Sequence, residues 1–290
     1  MKTKTKNLLE NIVHAIFLVL GLVTVAAVLM ITVYLIVSGI PAIREIGLSN
    51  FLFGKKWAST AATPSYGILP FILTSVYGTA GAICLGVPVG FMASVYLAKM
   101  AKPRVRAVVV EAVSLLAGIP SVVYGLVGMM LLVPGIRKVF NVPDGASLLA
   151  AIIVLAIMIL PSIIKVSMTS LEAVPKEYED ASLALGATPT ETYFRVSVPA
   201  AKSGIAAAVV LGVGRAIGET MAVILVAGNQ TIIPKSITSG IRTMTSNIVI
   251  EMGYAGGLHR EALIATGVVL FVFILIINLT FSILKRRKQA

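Results

Sequence analysis

The sequence is short of the residue types on which soluble and catalytic proteins rely. It has one cysteine, Cys84, so no disulfide can form within the chain. Its two histidines, His14 and His259, stand far apart with no companion ligands, which leaves no metal-site pattern. Only 12% of the residues are charged, and bases outnumber acids 24 to 12. No Gly-x-x-x-x-Gly-Lys-Ser/Thr run occurs, so any ATP hydrolysis linked to this chain must belong to another protein. The chain is read as not an enzyme on its own, with no catalytic residue, metal or cofactor of its own.

What is abundant is apolar. Hydrophobic residues make up 58% of the chain, and they come in unbroken runs. A soluble core of this length needs far fewer apolar side chains, so the class is integral membrane. Barrel strands alternate apolar and polar residues, and these runs do not, so the spans are helices. Cys84 lies inside one run and reads as a small buried hydrophobe. The net charge of +12 would suggest nucleic acid in a soluble protein. Here it reflects topology, because Lys and Arg gather beside helices on the cytoplasmic side.

Six spans are predicted, at residues 12–40, 67–98, 105–133, 146–164, 203–227 and 262–284. The first follows Lys2, Lys4 and Lys6 and is too long for a signal peptide, so it reads as a retained helix ended by Gly39-Ile40-Pro41. An outside loop follows, with Trp57, Phe51 and Phe53 at the interface. Pro88 should bend the second span, and Gly118-Ile119-Pro120-Ser121 should kink the third. Pro134-Gly135 should open a short outside connection. Residues 228–259 fall outside, where the polar stretch 230–247 is either a flexible loop or a rest for a delivering protein. The excess of basic residues in the other connections and at the termini, through Lys285-Arg286-Arg287-Lys288, puts both termini in the cytoplasm. The expected division is residues 1–66, a first helix with its external loop, and residues 67–290, a transmembrane domain of five core helices.

Between the fourth and fifth spans lies a polar interruption, residues 165–202. Pro175, then Glu177, Glu179 and Asp180, open a helix whose positive N-terminal end suits acids. Tyr178, Ala181, Ser182 and Leu185 share one face, and Gly186 ends it. Thr188-Pro189-Thr190-Glu191 is a capping box that starts a second short helix at once. Two readings are open: a cover over the inner end of the bundle, or an L-shaped projection that takes a push from a partner.

The fifth span holds Gly212-Val213-Gly214-Arg215-Ala216-Ile217-Gly218-Glu219-Thr220. At about 1.5 Å per residue, Arg215 lies ~18 Å past Ser203, near the middle of a hydrocarbon layer about 30 Å thick. A charge there costs at least ~2.5–3.5 kcal/mol on insertion scales. Glu219, one turn further on, can pair with it. The pair is either a self-neutralising structural contact or a site on a translocation path. In the second case Arg215 offers a fork of donors to an oxyanion, and Glu219 keeps the binding weak enough for release. The glycines read as close helix packing.

Several of these stretches resemble a known family. Asp180-Ala181-Ser182, Gly186 and then Val196-x-Val198-Pro199 resemble the EAA loop of ABC importer permeases, with Asp180, Ser182, Val196 and Val198 departing conservatively from its usual residues. Phe51-Leu52-Phe53-Gly54 with Trp57, Gly67-Ile68-Leu69-Pro70, Gly118-Ile119-Pro120-Ser121-Val122-Val123-Tyr124-Gly125 and Gly214 through Val223 are similar to the phosphate ABC importer permeases. Met221-Ala222-Val223 through Asn229 is closer to the PstC type than to its sister, the PstA type. The resemblance spans about residues 50–284. It implies an all-α type I ABC importer permease fold with six transmembrane helices and cytoplasmic EAA coupling helices (residues 172–202). It implies phosphate import through the plasma membrane as a heterodimer with a PstA-type permease, an ATPase dimer of PstB type and an external phosphate-binding protein of PstS type. On that footing Glu179, Asp180, Ala181, Gly186 and Pro199 belong to the ATPase-coupling loop, and Arg215, Glu219 and Thr220 to the substrate path. Two rivals remain: a permease for another oxyanion such as molybdate or sulfate, and an ion-coupled secondary transporter, for which the chain lacks repeats and further intramembrane acids.

Overall fold

A computed structural model describes residues 2–287, so Lys288 of the closing basic run lies outside the described residues. The described residues are mostly helical. Five helices are long and apolar enough to cross a membrane, and a sharply bent helix pair makes a sixth if it is taken as one span. In order the elements are α1 (Lys2–Ile46), α2 (Leu48–Phe53), a two-stranded hairpin of β1 (Trp57–Ala58) and β2 (Ser65–Tyr66), α3 (Leu69–Val95), α4 (Pro103–Gly118), α5 (Ser121–Val127), α6 (Val133–Phe140), α7 (Leu148–Glu172), α8 (Lys176–Ala184), α9 (Pro189–Thr192), α10 (Val198–Ala200), α11 (Lys202–Gly218), α12 (Met221–Val226), α13 (Met244–Met252) and α14 (Gly257–Arg287). Wide π turns at Tyr96–Met100, Gly128–Leu132 and Tyr193–Ser197 extend α3, join α5 to α6, and join α9 to α10.

The centre of the bundle is α3 packed along α7. Glycines on α3 make that approach close: a Cβ on Gly81, Gly86 or Gly90 would come within 2.5–2.9 Å of Ile152, Ile159 or Ile163. Without a hydrophobic drive between lipid-exposed helices, such small-residue contacts carry the association. The helix runs on through Pro88, whose flanking glycines are the ones seated on α7. α11 packs on both helices, with Gly212 against Ile163 of α7. α12 lies against α5, with Gly125 over the Ala222 backbone. Ile159, Ile163, Ala222, Val226 and Ile241 form the buried core of this half. A second cluster joins Trp57, Tyr66, Phe71, Met244 and Leu263, so the hairpin, α3, α13 and α14 share one core.

Several predicted boundaries move. α1 does not stop at Pro41 but continues to Ile46 and ends at Gly47, whose φ is +86°. Gly39 sits on Ala265 and Val268 of α14, and Ala42 is fully buried, so packing sustains the helix past its proline. The predicted third span is cut rather than kinked. Ile119 and Pro120 are extended, and the apolar span runs over Ser121–Phe140. Pro134-Gly135 falls in the first turn of α6, where a proline is tolerated, and opens no loop. Cys84 is exposed on the surface of α3 rather than buried.

Candidate functional site

The polar loop after α7 folds as two short helices meeting at an elbow. Thr188 Oγ1 accepts from the Glu191 amide and the Glu191 carboxylate accepts from the Thr188 amide, so the capping box is complete. Gly186 sits at the turn with φ +88°, a conformation that L side chains rarely adopt. The Ser182 and Thr192 hydroxyls, 3.0 Å apart, tie one arm to the other. A bend of 72° then separates Pro189–Ala200 from α11.

Glu179 anchors this loop to the bundle. It lies 2.5 Å from Lys99 at the end of the α3 span and accepts from Ser197 Oγ at 2.7 Å. The residues taken together as coupling residues therefore divide. Glu179 is largely buried and faces inward, whereas Asp180, Ala181, Gly186 and Pro199 are exposed. Leu185 is 90% exposed, and Tyr178, Leu183 and Phe194 are exposed nearby. An apolar surface on a polar projection is suited to contact with another protein.

Burial pushes the Glu179 carboxyl up, but Lys99 and Ser197 outweigh it and hold it below its ordinary value of 4.5. A carboxyl held low contributes stability that is complete above its unfolded value and disappears as pH falls through the folded one. Thermal unfolding of the wild type and Glu179→Gln, compared from pH 7 downward, should show the wild type ahead at pH 7. The two should converge only below the carboxyl's ordinary value. A constant gap across that range would mean that the ion pair is not the anchor.

The fifth span is broken. Gly218 ends α11, and Glu219 and Thr220 leave the helical conformation before α12 begins. Glu219 is therefore not one turn above Arg215 on a common face, and among the described residues no ion pair joins them. Instead Glu219 Oε1 accepts from the Ala222 amide in the first turn of α12 at 3.2 Å, while its carbonyl accepts from Thr245 Oγ1 at 3.0 Å. Thr220 Oγ1 donates to the Gly218 carbonyl. These bonds satisfy backbone groups that the break takes out of the helical ladder. Arg215 is half-buried, and Gly214 and Gly218 face open space rather than a packed neighbour, contrary to the close-packing reading. Only Gly212 of the three packs tightly. Beside the break is a small cavity framed by Ser75, Thr79, Glu219 and Thr243.

Sequence reasoning missed the structure of residues 228–259. This stretch is not a loose loop. Ser239 and Ile237 carbonyls accept from the first amides of α7, Ile241 pairs with Ala227, and α13 follows. Arg242 pairs with Glu251 at 2.6 Å, and Glu251 is 5% exposed. Trp57 Nε1 donates to Glu251 from the hairpin, so Trp57 is buried rather than interfacial. His259 is not isolated either, with Nε2 lying 2.8 Å from the same carboxylate. No local signal marks this pairing, since Arg242 lies before the helix that carries Glu251 and Trp57 is 194 residues from it. No group of three metal-ligating side chains occurs among the described residues.

The fold and these positions can be set beside known proteins. Residues 86–290 match the model of the family described as binding-protein-dependent transport system inner membrane component. The chain is 38% identical to the probable ABC transporter permease YqgH of Bacillus subtilis, covering 92% of this chain and 88% of that one. It is 33% identical to the phosphate transport system permease PstC of Haemophilus influenzae, covering 89% and 86%. Among solved structures, an inward-facing MetNI methionine ABC transporter superposes with a TM-score of 0.56 at 20% identity, over 76% of this chain and 94% of that one. An amino acid ABC transporter superposes at 0.53 and 19%, over 76% and 92%. These likenesses show the type I importer permease fold.

Proposed function

The chain belongs to the binding-protein-dependent transport system inner membrane component family, and from that premise we propose that it is the PstC-type permease subunit of an ATP-driven phosphate importer. Membership and the apolar helices make it a multi-pass permease of the plasma membrane. The proposal adds the solute, the partners and the orientation. The partners are a PstA-type permease, a dimer of PstB-type ATPases and an external PstS-type phosphate-binding protein. Both termini and the α8–α10 elbow face the cytoplasm, and the hairpin and α13 face outward.

In this reading the exposed elbow, with Asp180, Ala181, Gly186 and Pro199, docks on the ATPase. Glu179 and Lys99 make the elbow move with the bundle. The motion passes through the 72° bend into α11. Arg215 lowers the barrier for an oxyanion through its fork of charged donors. Glu219, which makes no ion pair with Arg215 among the described residues, opposes a permanent anion trap. Thr220 stands at the joint between the two helices.

The observation that supports this reading best is a half-buried arginine one turn before a helix break, in a chain 33% identical to a PstC. The test is phosphate uptake by the complex reconstituted in proteoliposomes, with sulfate and molybdate as competitors. ATP-dependent phosphate uptake, undiminished by excess sulfate or molybdate, is expected. Strong competition by either would replace phosphate with that oxyanion, and uptake without any ATPase would favour a secondary transporter.

A further inference from the structure

We propose that Glu251 and Arg242 are positioning residues that hold residues 241–245 against the break at Glu219, with the 57–66 hairpin clamping the same carboxylate. Glu251 is one of only 12 acids in the chain and among its most buried. A buried carboxylate is tolerated only when paired and hydrogen-bonded. Here Oε2 faces Trp57 Nε1 at 3.0 Å, Ser59 Oγ at 2.9 Å and His259 Nε2 at 2.8 Å, while Oε1 takes Arg242. Three parts of the chain converge on one side chain: the hairpin, residues 241–245 through Arg242, and α14 through His259.

Arg242 passes this constraint on. Its Nε donates to the Asn229 carbonyl at 3.0 Å and a terminal nitrogen donates to Asn247 Oδ1 at 3.1 Å. Its own carbonyl accepts from Thr74 Oγ1 of α3 at 2.6 Å. The next residues continue the line: Thr243 caps α13, the Met244 amide donates to Ser75 Oγ at 3.0 Å, and Thr245 Oγ1 donates to the Glu219 carbonyl. That carbonyl stands at the end of α11, where no intrahelical donor is available. Lifting residues 241–245 would strip its partner and widen the cavity framed by Ser75, Thr79 and Thr243. The salt-bridged, fully donated carboxylate thus acts at a distance on the joint of the broken span. Trp57 and Ser59 lie before residue 86, where the family match begins, so the hairpin brings to the joint a support from outside the matched region.

The inference rests on the reading that the break at Glu219 lies on the solute path, and does not depend on which oxyanion travels it. The test uses the full complex in proteoliposomes with Cys84→Ala, and Thr79→Cys as a reporter in the cavity wall. A small charged thiol reagent is applied from each side in turn, without solute. Glu251→Gln should raise the labelling rate of Thr79→Cys by about tenfold, the scale of one lost charged hydrogen bond, and Trp57→Phe should raise it less. A second reporter, Ser167→Cys, fully buried elsewhere in α7, separates local release from general loosening. Faster labelling at Thr79→Cys with Ser167→Cys unchanged supports the proposal. Unchanged labelling at Thr79→Cys, or an equal rise at both reporters, overturns it. A failure of the phosphate reading would appear in the competition assay and leave these rates untouched.

Discussion

Arg215→Ala is expected to abolish most ATP-driven anion uptake, by roughly 100- to 1,000-fold, while leaving the complex assembled. A unit charge 4 Å from an anion at an effective dielectric of 20 is worth ~4 kcal/mol, and each ~1.4 kcal/mol is a tenfold change. Solvent in the path reduces that figure, hence the range. Assembly should survive because the side chain makes no ion pair among the described residues and is only half-buried, so its loss leaves no buried partner charge behind. Copurification with the ATPase and uptake in proteoliposomes are the two measurements. Arg215→Lys should recover part of the rate, since it keeps the charge but loses the planar fork. Full uptake by the alanine variant would remove Arg215 from the path.

The second large effect is at the elbow. Gly186→Val should leave ATP hydrolysis near normal and lower uptake per ATP by about tenfold or more, on the ground that a left-handed residue with a Cβ costs ~1–2 kcal/mol and β-branching adds to it. The strain arises from φ +88° alone, because a Cβ there meets open space. The variant can relieve it only by re-aiming α8 against α9, which moves Asp180 and Ala181 relative to Pro199. Gly186→Asn, a residue that tolerates this conformation better, should couple more nearly as the wild type does. Hydrolysis and uptake measured on the same vesicles distinguish this from simple loss of protein. Equal coupling in the glycine and valine forms would exclude the elbow as the transmission point.

Where the causes were local, the sequence was readable. The apolar runs announced the spans, and Thr188, Pro189 and Glu191 announced the helix start that the structure completes with both capping bonds. Gly186 showed the elbow because a positive φ is a property of one residue. Where the cause was distant, the sequence was silent. The break after Gly218 is stabilised by Thr245, which is 26 residues away, so helical periodicity carried the fifth span straight through it. Trp57 looked interfacial because its acceptor, Glu251, lies 194 residues further on. Glu179 reads in the sequence as one of three acids at a helix start, and only the fold brings Lys99 and Ser197 around it. The continuation of α1 past Pro41 has the same origin, in a seat provided by α14.

That seat bears on how the molecule meets its lipid. α1 has 45 residues, about 67 Å of helix at 1.5 Å per residue, against a hydrocarbon layer of about 30 Å. Its apolar stretch alone exceeds that thickness, so α1 must lean, overhang, or thicken the bilayer around it. It is moored near one end, where Gly39 touches Ala265 and Val268. A rod held at one end and gripped along its length by lipid is a lever. A bilayer that makes α1 tilt is therefore expected to load this contact, and with it α14, the helix that carries His259 to the buried carboxylate.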